Sequence, residues 1–449
     1  MAAGRQPESA VRNELAQPGA CSSDFERTVR EMLVKPGTTA PSFLNVIGVP
    51  SHNLMADTKK HLAGKEPESA SVLNALNQLG RCSGDLCTEE MLFGLGGGLG
   101  LIYFLFDMHG GHPIVVGTRY HASEAQTPVF VMQMCEAWGA TTELKHSSSR
   151  GASTKSLTKM LEDGFTPIIW VEVTKLPYMF LSGHPNMYHT IVVYERDGNE
   201  FIVGDLGESV ARISVEEMEE VRDSHYAPKF RSLTLKDAPA KPHLREVLAD
   251  RIRLTCNQMI EGLGIANFGL GAFTKWAGML TNTKNKKGWS NCFTDGPGLH
   301  GAMSSVYGQI ELRGFGGSAF RGMYADFIVQ SAAVLKKPGL KKVAEQFREA
   351  EASWRKIALA ALPDSIPILK ETRDVLDRRA TLLQKPRTSK IDDELDAIRT
   401  RLKELRKSSA KDLALSPADK LELFSDISSR VLETEVIERA AFTDLNKLI

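Results

Sequence analysis

The chain has 449 residues, 42% hydrophobic and 24% charged, which fits a folded globular protein and not a disordered or membrane chain. Lysine plus arginine and aspartate plus glutamate number 55 each, so no global field draws the chain toward nucleic acid or an anionic membrane. The most apolar uncharged stretch, Met91 to Phe106, is interrupted by glycines and is too short to span a bilayer.

This length allows two or three domains, each with its own core. The first residues, MAAGRQPESAVRNELAQ, lack the apolar segment of a secretory signal, so a cytoplasmic protein is expected. Six scattered cysteines (Cys21, Cys82, Cys87, Cys135, Cys256, Cys292) read as reduced thiols, since they form neither a disulfide framework nor a zinc quartet.

Residues 1–60 mix proline, glycine, serine and charge without a sustained period, and are expected to be a flexible extension with a short helix near Asp24 to Leu33. From Pro67 the pattern tightens. Val72, Leu73, Leu76 and Leu79 recur at helical spacing up to Gly80, and Thr88 caps a second helix ahead of Glu89 and Glu90. From Ile114 to about Lys236 β-rich runs alternate with helical ones, and YERDGNEFIVGD reads as a hairpin turning at Asp197-Gly198.

Pro239 and Pro242 mark a linker, after which strand signals largely stop. Helices are predicted over 243–262, 267–281, 298–312, 318–335 and 339–361, followed from about Pro367 by long polar helices. One of these carries Ile391, Leu395, Ile398, Leu402 and Leu405 on one stripe. It is either one arm of a helical hairpin packed on its own chain or an intermolecular coiled coil that would make a homo-oligomer through the C-terminal helices.

Two glycine clusters stand out. Gly94, Gly96, Gly97, Gly98 and Gly100 miss the dinucleotide spacing and follow a helix, so they read as a tight turn, with Gly96 and Gly97 as positions where backbone approaches backbone or substrate. Gly314-Phe315-Gly316-Gly317 also misses that spacing; it is either a turn between helices or, with Arg321 and Tyr324, a holder for an anionic group. His109-Gly110-Gly111-His112 has only Asp107 nearby as a third donor, so neither a metal nor another cofactor is expected.

His189 opens an apolar strand, and Asp205 ends the strand predicted to pair with it. A carboxylate on one imidazole nitrogen fixes the tautomer and leaves the other as a base; the alternative is a buried structural histidine.

Taken in order, EEMLFGLGGGLGLIYF, GFTPIIWVEV leading to Leu176-Pro177-Tyr178, HTIVVY and Asp205 resemble the N-terminal domain of the butirosin-biosynthesis protein H-like family. ANFGLGAFTKWAGML, IELRGFGGSAFRGMYADFIVQSA and EASWRKIA are similar to the uncharacterised helical domain that accompanies it. The resemblance runs from about Pro67 to about Leu362. It implies an α+β fold: a papain-like, cysteine-protease-type domain over 61–238, then a mostly α-helical domain over 243–362; the charged helices over 363–449 lie beyond the resemblance.

The founding activity of that family is acyl transfer from a carrier-protein thioester to an aminoglycoside amine. Residue by residue, the family histidine falls on His189 and the acid on Asp205. The family cysteine falls near Pro67 or Glu68, neither of which is a nucleophile. Cys87, beside a helix start that would lower a thiol pKa, is one substitute, and a hydroxyl at Ser69 or Ser71 is another. In a third version the domain has lost its chemistry and keeps the fold for binding.

The resemblance thus implies an acyltransferase using a thioester or activated carboxyl donor and an amine, with an acyl-carrier protein or an amine small molecule as partner. In that version backbone amides near the first helix stabilise the oxyanion. A papain-like amide or thioester hydrolase and a non-catalytic binding or scaffold protein are the alternatives. Nucleic acid and membrane are not expected partners.

Overall fold

A computed structural model describes residues 60–449 except 109–110, 118, 120–127, 182–187, 224–229 and 315. The expected extension with its helix at Asp24 to Leu33, and His109, Gly110 and Phe315 of the motifs above, lie outside the described residues.

Helix α1 (Pro67–Gln78) starts at an N-cap, Glu66, whose carboxylate accepts from Ser69 N–H, with Pro67 in the first turn. Helix α2 (Glu89–Leu95) is capped by the Thr88 hydroxyl. Strands β1 (Tyr103–Leu105) and β2 (Ile114–Val116) pair as a small antiparallel ribbon. Next come α3 (Val129–Trp138), β3 (Thr141–His146), α4 (Arg150–Glu162), β4 (Ile168–Glu172), β5 (Tyr188–Asp197), β6 (Glu200–Gly204), β7 (Ala211–Ser214), α5 (Val215–Arg222) and β8 (Arg231–Asp237). Six of these strands form one antiparallel sheet in the order β3-β8-β4-β5-β6-β7. The fold is α+β.

Both faces of this sheet are covered. Ile168, Trp170, Val192 and Tyr194 face α1 and the large core, while Ile169, Val171, Ile191 and Val193 meet Leu157 of α4 and Met218 and Val221 of α5. Alternation along β4 and β5 therefore sorts neighbouring residues into two separate cores. The β5–β6 hairpin turns at the predicted place, with Asp197 opposite Glu200 and Gly198 at φ +58°.

The rest is helical: α6 (Leu244–Glu261), α7 (Gly271–Thr281), the single turn α8 (Trp289–Cys292), α9 (Gly296–Glu311), α10 (Arg321–Leu335), α11 (Leu340–Ala361), α12 (Pro367–Gln384), α13 (Ser389–Asp412) and α14 (Pro417–Leu448). The larger core is continuous from Val72 in α1 to Leu445 in α14. Leu395 and Ile398 of α13 pack with Leu382 and Leu383 of α12, so this stripe is covered within the chain, as in the hairpin alternative, and offers no open coiled-coil seam. Among the described residues no helix is long and apolar enough to cross a membrane.

Arg321 is fully buried. Its Nε and Nη2 donate to the two Glu438 oxygens at 2.6 and 3.0 Å, and its Nη1 donates to the Ala319 and Gly100 carbonyls. Its guanidinium also lies over the Trp354 ring, whose Nε1 donates to Glu438 at 2.5 Å. The entry to α10 is strained to achieve this: Ser318, Ala319 and Phe320 lie at φ +43°, +49° and +66°, a left-handed conformation costing about 1–2 kcal/mol per non-glycine residue. Arg321 therefore ties α10 to α14 and is not available to hold an anionic group, and Tyr324 is packed against Phe327 and Phe347 in the core.

Removing one partner of a buried ion pair leaves an uncompensated charge. Glu438→Ala is expected to lower the unfolding free energy by about 3–5 kcal/mol in chemical denaturation. The pairwise replacement Arg321→Met with Glu438→Leu should recover most of that loss.

Candidate functional site

Two places bear on chemistry: the start of α1, and the ends of β5 and β6. At the start of α1, the Glu89 carboxylate reaches across from the first turn of α2. It accepts from Glu66 N–H at 2.7 Å, from Lys65 N–H at 2.9 and 3.0 Å, and from the Ser69 hydroxyl at 3.1 Å. Burial pushes its pKa up to about 7, against the lowering effect of those backbone donors.

Arg119 forms ion pairs with Glu68 and with Glu66, and its guanidinium stacks 3.3 Å over the Phe130 ring. Arg313 lies in the same group. Burial, with Arg119 close by, holds its pKa below the usual arginine value, against the opposing pull of Tyr188, Glu66 and Glu68. Gly314 follows at φ +68°, where a Cβ would fall 2.4 Å from the Lys65 carbonyl oxygen. The second glycine cluster thus belongs to this place for a packing reason: only a glycine lets that turn touch the α1 entry.

The candidate nucleophiles are engaged structurally. Pro67 and Glu68 carry no thiol. The Ser69 hydroxyl has no solvent exposure and lies between the Glu66 and Glu89 carboxylates at 3.0 and 3.1 Å, and Ser71 donates to the Thr190 hydroxyl at 3.2 Å. Cys87 is joined to Cys82 by a disulfide, which corrects the expectation of six reduced thiols and leaves no thiolate at Cys87. Gly96 ends α2 and Gly97 turns away at φ +76°; Phe130 and Met134 crowd the first, so packing accounts for it without a substrate.

At the strand ends, His189 and Asp205 do come together. Val192 pairs with Gly204, so Asp205 falls opposite Ile191, and His189 is its diagonal neighbour on the same face. His189 Nε2 and Asp205 Oδ1 are 2.6 Å apart, with side-chain exposures of 7% and 9%. The Tyr178 hydroxyl donates to Asp205 Oδ2 at 3.0 Å, and Leu206 N–H donates to Oδ1 at 2.8 Å. Burial would raise the Asp205 pKa, but the charge of His189 and these donors outweigh it and hold the carboxyl below its ordinary value. The bond to Nε2 leaves Nδ1 as the ring nitrogen for proton transfer.

Alternation along β5 sets the direction of His189 relative to α1. Thr190 points to α1, as its contact with Ser71 requires, so the residue before it, His189, points to the other face with Ile191 and Val193. The crevice between α1 and the sheet, lined by Pro67, Ser71, Thr190 and Asp205, is too tight for a water molecule. On the far side the α12–α13 hairpin closes in: Arg387 donates to the Tyr178 carbonyl, and Phe180 packs with the Leu382, Leu383, Leu395 and Ile398 cluster.

Several contributors were not read from the sequence. His61 bonds through Nε2 to the Asp205 and Gly207 carbonyls at 2.7 and 3.0 Å and meets the Tyr194 hydroxyl through Nδ1 at 2.6 Å, with burial lowering its pKa. Glu89 looked like an ordinary helix-start acid. Arg119 and Arg313 carried no local signal, since their partners are distant in sequence.

Residues 67–206 match the family model described as butirosin biosynthesis protein H, N-terminal, and residues 216–375 match a domain of unknown function, DUF4872. No curated protein matches the chain.

Two measurements follow from this geometry. Because folding raises the Glu89 pKa from 4.5 to about 7, the folded state retains a proton that the unfolded state loses, and stability falls as pH rises through that window. Glu89→Gln should remove this loss, so the unfolding free energies of the two proteins should diverge between pH 4.5 and 7 by on the order of 3 kcal/mol. Separately, iodoacetamide labelling of the denatured, unreduced protein should modify two fewer cysteines than labelling after reduction, with Cys82 and Cys87 as the protected pair.

Proposed function

This protein belongs, over residues 67–206, to the butirosin biosynthesis protein H N-terminal family, and on that footing we propose an acyltransferase-like protein that binds an acyl donor or amine without forming an acyl-enzyme. The observation that carries this reading is the α1 start: Pro67 and Glu68 stand where the family thiol is expected, and Glu66, Glu68 and Arg119 fill the place with paired charge. A thioester cannot be attacked from there. A helix packed against an antiparallel sheet, with histidine on one strand and acid on the next, supports a papain-like framework for residues 61–238. Residues 243–362 then form its helical companion and 363–449 the charged helices.

The His189–Asp205 bond favours one second reading, acyl transfer without a covalent intermediate. His189 Nδ1 takes the proton of an attacking amine, the N–C bond forms as the C–S bond of the thioester breaks, and the departing thiolate takes a proton back. With water as acceptor the same step is hydrolysis.

Mass spectrometry of the intact protein after exposure to an acyl-thioester panel separates these readings, with Ser69→Ala, Cys87→Ala and His189→Ala alongside. The expected result is non-covalent retention of the donor and no adduct on any of the four proteins. An adduct on the native chain that disappears in His189→Ala and in one nucleophile variant overturns the proposal. Amide product without adduct, lost in His189→Ala, establishes the second reading.

A further inference from the structure

Helices α11 and α12 are joined by residues 362–366 and both pack on α9, and between them opens a cleft of about 550 Å³ whose floor is the end of α9 and the Gly316–Ser318 turn. The volume suits a small molecule. The walls are lined by charges of both signs. Helix α11 presents Arg348, Glu351 and Arg355 at three- and four-residue steps, one face of the helix. Helix α12 presents Asp377 and Thr381 opposite.

Some of this charge is already engaged and some is not. Arg348 pairs with Asp326 and Glu351. Arg355 lines the cleft with a side chain that is 61% exposed, and among the described residues its hydrogen bond is from Nη1 to Glu311 Oε2 at 3.3 Å, which leaves other N–H donors for a ligand. Asp377 accepts the Tyr307 hydroxyl on Oδ1 at 2.6 Å, and among the described residues nothing bonds its Oδ2. Ala352, Ala380, Gly316 and Gly317 keep the space between these groups empty of side chain.

A guanidinium with unused donors and a carboxylate with an unused oxygen, both lining one polar cleft, define the ligand chemistry. We infer that this cleft binds a small polar zwitterion of the amino-acid or dipeptide class, with its carboxylate on Arg355 and its ammonium group on Asp377. The site is separate from the His189–Asp205 pair, and the inference rests on no step of the acyl-transfer reading.

Isothermal titration calorimetry of the full chain tests it, with serine, asparagine, glutamine, glutamate, lysine and their glycyl dipeptides as probes. At least one should bind, its carboxamide and its N-acetyl form should each bind at least 10-fold more weakly, and Arg355→Met and Asp377→Asn should each weaken the parent by a similar factor. Unchanged melting temperatures in the two variants would exclude unfolding as the cause, since both positions are on the cleft wall. No binding by any probe, blocked forms that bind as well as the parent, or affinity that survives both substitutions would overturn the inference.

Discussion

A strand buried on both faces has to send consecutive side chains into different cores, and β5 does so from Thr190 onward. Thr190 and Val192 go to α1 and the large core; Ile191 and Val193 go to α4 and α5. This constraint fixes the chemistry available at the strand end. It gives His189 its partner Asp205, because diagonal neighbours on paired antiparallel strands share a face, and it also turns His189 from the helix that would have to supply a nucleophile.

The start of α1 shows what occupies such a place when no thiol is present. A helix entry offers unsatisfied N–H donors, which suit an oxyanion. Here the protein's own carboxylates meet donors there: Glu66 takes Ser69 N–H, and Glu89 takes the amides of Lys65 and Glu66 just upstream. Such a concentration of carboxylates needs counter-charge, which Arg119 supplies by direct pairing and Arg313 by proximity.

The readings that succeeded from sequence rested on local physics. Helical spacing and caps located α1, α2 and the helices after Pro242, and Asp197-Gly198 placed the hairpin that brings His189 to Asp205. What stayed hidden depends on contacts between distant segments. Arg321 reads as either part of a turn between helices or an anion holder beside a glycine-rich helix start, and its partner Glu438 lies 117 positions later. The face taken by His189 follows from the packing of α1, α4 and α5 on a sheet in which β8 is inserted between β3 and β4, and no local pattern encodes that order. The Cys82–Cys87 bridge closes a short loop that scattered cysteines do not announce.

The Arg321–Glu438 pair also has a consequence for the order of synthesis. A nascent chain emerges from its N-terminal side, so Arg321 and Trp354 are made well before the helix that satisfies them. Until α14 arrives, a guanidinium and an indole N–H meant for the interior must stay hydrated, which keeps the groove around them from closing. The buried Arg321–Glu438–Trp354 cluster can therefore be completed only once α14 has been made.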